Sequence, residues 1–169
     1  SAVALRLGPV SSGEGFRADL DIEKAFVSIK PAGGQNISIR ILHDRNVLLI
    51  NSPHEVLLEE IKAETLPDAT IGKTDDISWL LMKMPGDIDY KGMEYAVAVA
   101  SKGNIKAVSL VTSFDISEGD VLAHAIKLAG STIDDKEKDL IQEHENSWEK
   151  YWSASGVQLE DTILQRWWY

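Results

Sequence analysis

The sequence predicts a mainly β protein, an antiparallel β-sandwich with a C-terminal α-helical linker. Three observations predict it. Residues 1–114 break into short alternating apolar runs divided by turn residues, the signature of short antiparallel strands. No helical pattern alternates with these runs, which argues against a parallel α/β sheet. Beyond Asp115 the apolar residues fall at helical spacing instead.

The elements follow in order. "FRADLDI" (Phe16–Ile22) and "KAFVSIK" (Lys24–Lys30) are short strands, the second with Ala25, Val27 and Ile29 on one face. "PAGGQ" turns the chain. "NISIRILH" alternates Ile37, Ile39 and Ile41, and "DRN" turns it again. "NVLLIN" and "HEVLLEEIK" read as strands on either side of Ser52-Pro53. The stretch from Thr65 to Asp76, rich in Pro, Asp, Gly and Thr, reads as a loop. "ISWLLMKM", "MEYAVAVAS" and "IKAVSLVTSF" complete the strands.

The helical part opens with "SEGDVLAHAIKLAG". Val121, Leu122, Ala125, Ile126 and Ala129 share a helical face, with Gly130 as the expected stop. Ser131 or Thr132 is expected to cap the next helix, with Asp134 and Asp135 at its positive end. In that helix Leu140, His144, Trp148 and Trp152 lie four apart, flanked by Ile141 and Tyr151. One stripe is therefore aromatic and apolar, and the other face is charged. "SASG" ends it, "VQLED" is extended, and Asp161 or Thr162 caps a third helix carrying Trp167 and Trp168. The expected organisation is a sandwich over residues 1–115, a helical linker over 116–160, and the start of a further helical domain over 161–169.

Composition limits function. A chain of 169 residues with 44% apolar content is long enough to bury a core without covalent staples. Its formal net charge is −10, which argues against nucleic acid and against anionic membrane surfaces, since both attract Lys and Arg. No apolar run reaches the roughly 18 residues of a membrane span. Cysteine is absent, so disulfides, thiolate zinc sites and cysteine nucleophiles are excluded.

Motifs that carry chemistry fail on inspection. "GKT" at Gly72–Thr74 lacks the earlier glycine of a phosphate-binding loop, since Pro67 stands there. "HENSW" begins like a zinc-binding helix, but Trp148 replaces its second histidine. Glu145 and Glu149 read as a solvated helix face rather than a glycosidase pair. Adjacent Glu59 and Glu60 on a strand point to opposite sides. Trp79 and Tyr90 are the candidate sugar-stacking aromatics, set against the simpler reading of Trp79 as core. No catalytic, cofactor-binding or metal-binding residue is assigned.

The C-terminal run "HENSWEKYWSASGVQLEDTILQRWWY" resembles the junction of bacterial glycoside hydrolases of the six-hairpin, (α/α)6-barrel type. These include fucosidase-like enzymes and a related uncharacterised group. The resemblance rests on His144, Trp148, Tyr151-Trp152, Ser153, Ser155, Val157, Leu159 and Trp168-Tyr169, in that order. "FRADLDIEKAFVSI" resembles a strand pair of the N-terminal β-supersandwich that precedes such a linker. The resemblance implies a non-catalytic sandwich domain supporting a downstream helical barrel that acts on oligosaccharides. It implies a periplasmic or secreted location and places the catalytic acids in the barrel. His144, Trp148, Trp152, Trp167 and Trp168 become the candidate domain interface. Two alternatives stand beside it: a carbohydrate-binding, lectin-like module using Trp79 or Tyr90, and a protein-interaction domain using the aromatic helix.

Overall fold

The computed structural model describes residues 2–62, 64–154 and 159–168. With 39% strand and 23% helix, the protein is mainly β and forms an antiparallel sandwich. The strands are β1 (Ala2–Leu7), β2 (Arg17–Asp21), β3 (Phe26–Lys30), β4 (Ile37–Ile41), β5 (Val47–Asn51), β6 (Val56–Ile61), β7 (Thr70–Thr74), β8 (Ile77–Met84), β9 (Met93–Lys102) and β10 (Ile105–Thr112). The helices are α1 (Val121–Asp134), α2 (Glu137–Ala154) and α3 (Thr162–Trp168). Eight strands make one sheet in the order β2-β3-β4-β5-β10-β9-β8-β7, while β1 and β6 pair as a separate ribbon.

Alternation along β9 shows how the two faces of the large sheet are used. Val97 and Val99 face the ribbon, joining Ile37, Ile50 and Val108 under Val3 and Leu7 of β1 and Val56 and Leu58 of β6. Ala96, Ala98 and Ala100 face the other way, against Val121, Ala125 and Ala129 of α1. Small residues on both partners let the helix backbone approach the sheet closely. Ser109 uses that closeness: its buried hydroxyl donates to the Ala125 carbonyl at 2.7 Å. The first helix, within the span expected as linker, thus supplies part of the main core. The second helix adds Leu140 to a cluster of Leu42, Val47, Leu49 and Ala107.

Local chemistry sets the helix ends. Asp120 caps α1, its carboxylate accepting from the N–H groups of Leu122 and Ala123. Helix α1 does not stop at Gly130 as the sequence suggests; it continues to Asp134. Gly130 serves packing, because a Cβ there would lie 3.3 Å from Ile77 Cδ1 of β8. Thr132, expected as a cap, is instead fully buried within α1. The chain leaves the helix at Asp135, where ψ is 156°. Asp161 caps α3, accepting from Ile163 N–H at 2.8 Å and Leu164 N–H at 3.2 Å.

Two strands escape the sequence reading. The expected loop 65–76 contains β7, which pairs antiparallel with β8. Its sequence "TIGKT" holds one large apolar residue, so no alternation marks it. Gly72 has a specific reason to be there. It lies opposite Trp79, and a Cβ would sit 2.4 Å from Trp79 Cζ2. The other strand is β1, which pairs with β6 rather than with the large sheet. The expected break "SASG" and the extended run after it fall largely on residues 155–158, outside the described residues.

Candidate functional site

The aromatic stripe of α2 brings together His144, Trp148, Tyr151 and Trp152. It begins at His144, which is 2% exposed. Nδ1 of His144 faces the backbone N–H of His43 at 3.3 Å and so accepts. Nε2 faces the carbonyls of Lys24 at 3.0 Å and Ala25 at 3.2 Å and so donates. This set of partners fixes the imidazole as the neutral tautomer with its proton on Nε2. One side chain thereby ties α2 to the β2–β3 turn and to the turn after β4. Ala25 holds a left-handed backbone, φ 47°, which aims two successive carbonyls toward the ring.

Trp148 continues the stripe. Its ring meets His43 edge-on at 6.1 Å, His144 at 6.3 Å, Tyr151 at 5.4 Å and Trp152 at 5.9 Å. These separations suit edge-to-face and tilted aromatic packing. The Trp148 indole N–H is buried and finds no acceptor among the described residues. Trp152 donates from Nε1 to the Glu23 carbonyl at 3.1 Å. Tyr151 stays half-exposed at 51%. So of the residues read as a domain interface, His144 and Trp152 are bonded to this chain's own β2–β3 turn. The side chains of Trp167 and Trp168 lie outside the described residues.

Charged groups flank the seam. Arg45 reaches Asp135 at 2.8 Å and Glu143 at 3.1 Å, joining the end of α1 to α2. The Asp135 hydrogen bond is the main cause that holds this guanidinium more firmly protonated than usual. Asn51 donates to Glu137 at 2.8 Å. Under α2, the Arg40 guanidinium lies 4.5 Å over the Phe26 ring and donates to Ser38 Oγ at 3.2 Å. Burial lowers its pKa, and the field of Glu145 and Glu137 partly offsets this.

The sugar-stacking candidates are not brought together. Trp79 packs against the α1 core, lies over Gly72, and donates from Nε1 to Thr74 Oγ1 at 2.9 Å. Tyr90 is 75% exposed in the β8–β9 loop, where Asp87 Oδ1 accepts its N–H at 2.8 Å. Five strand residues, about 17 Å at roughly 3.3 Å each, separate Trp79 from Met84 at the near end of that loop.

Two open clefts lie among the described residues. One, about 420 Å³, lies beside α1 and includes Arg45, Lys127, Asp44, Asp115 and His124. The other, about 490 Å³, includes Lys83, Lys91, Glu94 and Glu118. Both interleave cations with anions, so neither concentrates one sign of charge. Among the described residues, no group of three or more His, Asp or Glu side chains is placed to hold a metal ion. No helix among them is long and apolar enough to cross a membrane.

The sequence reading missed His43 and the Glu23–Lys24–Ala25 turn as parts of the seam. Their hydrogen bonds to His144 and Trp152 run through backbone N–H and C=O groups, which no residue type advertises. Comparison with protein-family models, with curated proteins and with solved structures gave no match.

Proposed function

We propose that this chain is a non-catalytic sandwich domain of a bacterial glycoside hydrolase, with α2 and α3 seating a catalytic helical barrel that acts on oligosaccharides. One observation carries the reading: apolar side chains remain uncovered where the barrel would sit. Tyr151 is 51% exposed on α2, and Ile163 and Leu164 are 66% and 58% exposed on α3. Large exposed apolar groups support a surface that is covered by a partner. The resemblance of the C-terminal run to the six-hairpin hydrolase junction supports a barrel as that partner.

The same exposed residues also favour the protein-interaction reading, in which a separate chain covers them. The sugar-binding reading has less to stand on, because the face of Trp79 is taken up by Gly72 and α1. The test has two parts. The isolated chain is assayed on a panel of chromogenic glycosides and is expected to release nothing. The reading frame that contains it is then sequenced past the codon for Tyr169. A barrel-length helical sequence there supports the proposal. Hydrolysis by the isolated chain, or a stop codon after Tyr169, overturns it.

A further inference from the structure

We infer that α2 is a detachable strap, held on the β3–β5 face of the sheet by polar pins and able to open as a unit while the rest of the fold stays intact. The inference concerns contacts within this chain and does not depend on the proposed parentage. The two long helices differ in how they are held. Helix α1 buries Val121, Ala125, Ala129 and Thr132 among its 14 residues, against the alanine face of β9. Helix α2 buries only Leu140 and His144 among its 18.

Most of the fixings of α2 are directional. His144 bonds to three backbone groups, on His43, Lys24 and Ala25. Trp152 bonds to the Glu23 carbonyl. Glu137 accepts from Asn51, Glu143 accepts from Arg45, and Glu145 lies 3.8 Å from Lys24. Every one of these groups can exchange its partner for water when the helix lifts. The net loss per bond is then small, and Leu140 is the one apolar side chain of α2 that is buried. Segments with few buried apolar contacts open at free energies below that of global unfolding.

What lies under the strap gives the opening a consequence. Lifting α2 uncovers Arg40, stacked on Phe26, with a buried Nε that has no hydrogen-bond partner while the strap is down. It also frees both faces of the Trp148 and Trp152 rings. Closed, acidic Glu137 and Glu145 of α2 act on Arg40 through their charges. Open, it presents a cation and an aromatic ring on a sheet surface.

Native-state hydrogen exchange on the full chain tests this. Amides 140–152 of α2 are expected to exchange at least about tenfold faster than amides 96–100 of β9 and 125–129 of α1, with a shallower dependence on denaturant. His144→Gln should speed α2 and β9 by similar factors, because both openings start from the closed state. Ala98→Leu alters the α1 core, which is present in the closed and the strap-open states alike, and should speed β9 and leave α2 unchanged. If His144→Gln does not fold, Trp152→Phe keeps an aromatic ring, removes the donor to Glu23, and should give a smaller increase in α2 exchange. A single common rate for α2 and β9 overturns the inference. So does an Ala98→Leu variant that speeds α2 and β9 equally.

Discussion

The backbone N–H of His43 donates to Nδ1 of His144 across 3.3 Å, joining positions 101 residues apart. With Nε2 donating to Lys24 and Ala25, this buried ring leaves no polar atom unpaired. His144→Ala would orphan a buried N–H and carbonyls and leave a void. The expected cost is about 3 kcal/mol, summed from lost bonds and cavity, read as a lower midpoint in urea denaturation. A midpoint unchanged from wild type would show that the ring is not a pin. Nitrogen chemical shifts should show the Nε2-protonated tautomer.

Gly72 and Trp79 form a second such pair, at the sheet edge. Gly72→Ala would place a methyl 2.4 Å from Trp79 Cζ2. The ring has little room to swing, since Thr74 holds its Nε1 and α1 packs on it. We expect a loss of roughly 1–3 kcal/mol by overpacking. Trp79→Leu should cancel much of the glycine effect in a double-mutant cycle. Additive losses would mean the two do not touch.

The close seat of α1 depends on small residues. Ala98 is fully buried on β9, directly opposite Trp79 and Ser109 in the two neighbouring strands. Ala98→Leu should push the helix off the sheet at a cost of about 3 kcal/mol. Ser109→Ala removes only one hydrogen bond and should cost about 1 kcal/mol. Thermal denaturation of the two variants checks the order, and equal losses would contradict a size-limited seat.

A pH effect follows from Lys106, 4% exposed and donating to the Ser52, Gly103 and Asn104 carbonyls. Burial lowers its pKa below the ordinary 10.5, with Glu55 acting in the opposite direction. The folded chain therefore binds this proton less tightly than the unfolded chain. Below the folded value both states are charged, and the fold bears the desolvation cost. As pH rises through the folded value toward 10.5 the cost disappears and stability climbs. Tyr95 works against this, because burial raises its pKa and stability falls as pH passes its ordinary 10.0. Comparing wild type with Lys106→Met cancels the tyrosine effect. Wild type should gain on the variant as pH rises toward 10.5, and parallel curves would rule the effect out.

Alternation of apolar residues made most of the large sheet legible. β9 and β10 are read within a residue or two because Ala96, Val97, Ala98 and Val99 are all buried. β7 was hidden because an edge strand holding one large apolar residue carries no period-two signal. Gly130 misled because glycine ends helices by default, whereas here its missing side chain makes room for Ile77. The stripe at His144, Trp148 and Trp152 was visible in its spacing. What His144 and Trp152 touch was not, because their partners are main-chain groups of a turn more than a hundred residues away.

The claim with most at stake is that a helical barrel rests on the outer surface of α2 and α3. A crystal structure of the polypeptide encoded by the complete reading frame tests it most directly. The account predicts a barrel covering Tyr151, Ile163 and Leu164, with His144 still bonded to His43. A structure without a barrel, or with those three side chains open to solvent, would contradict it.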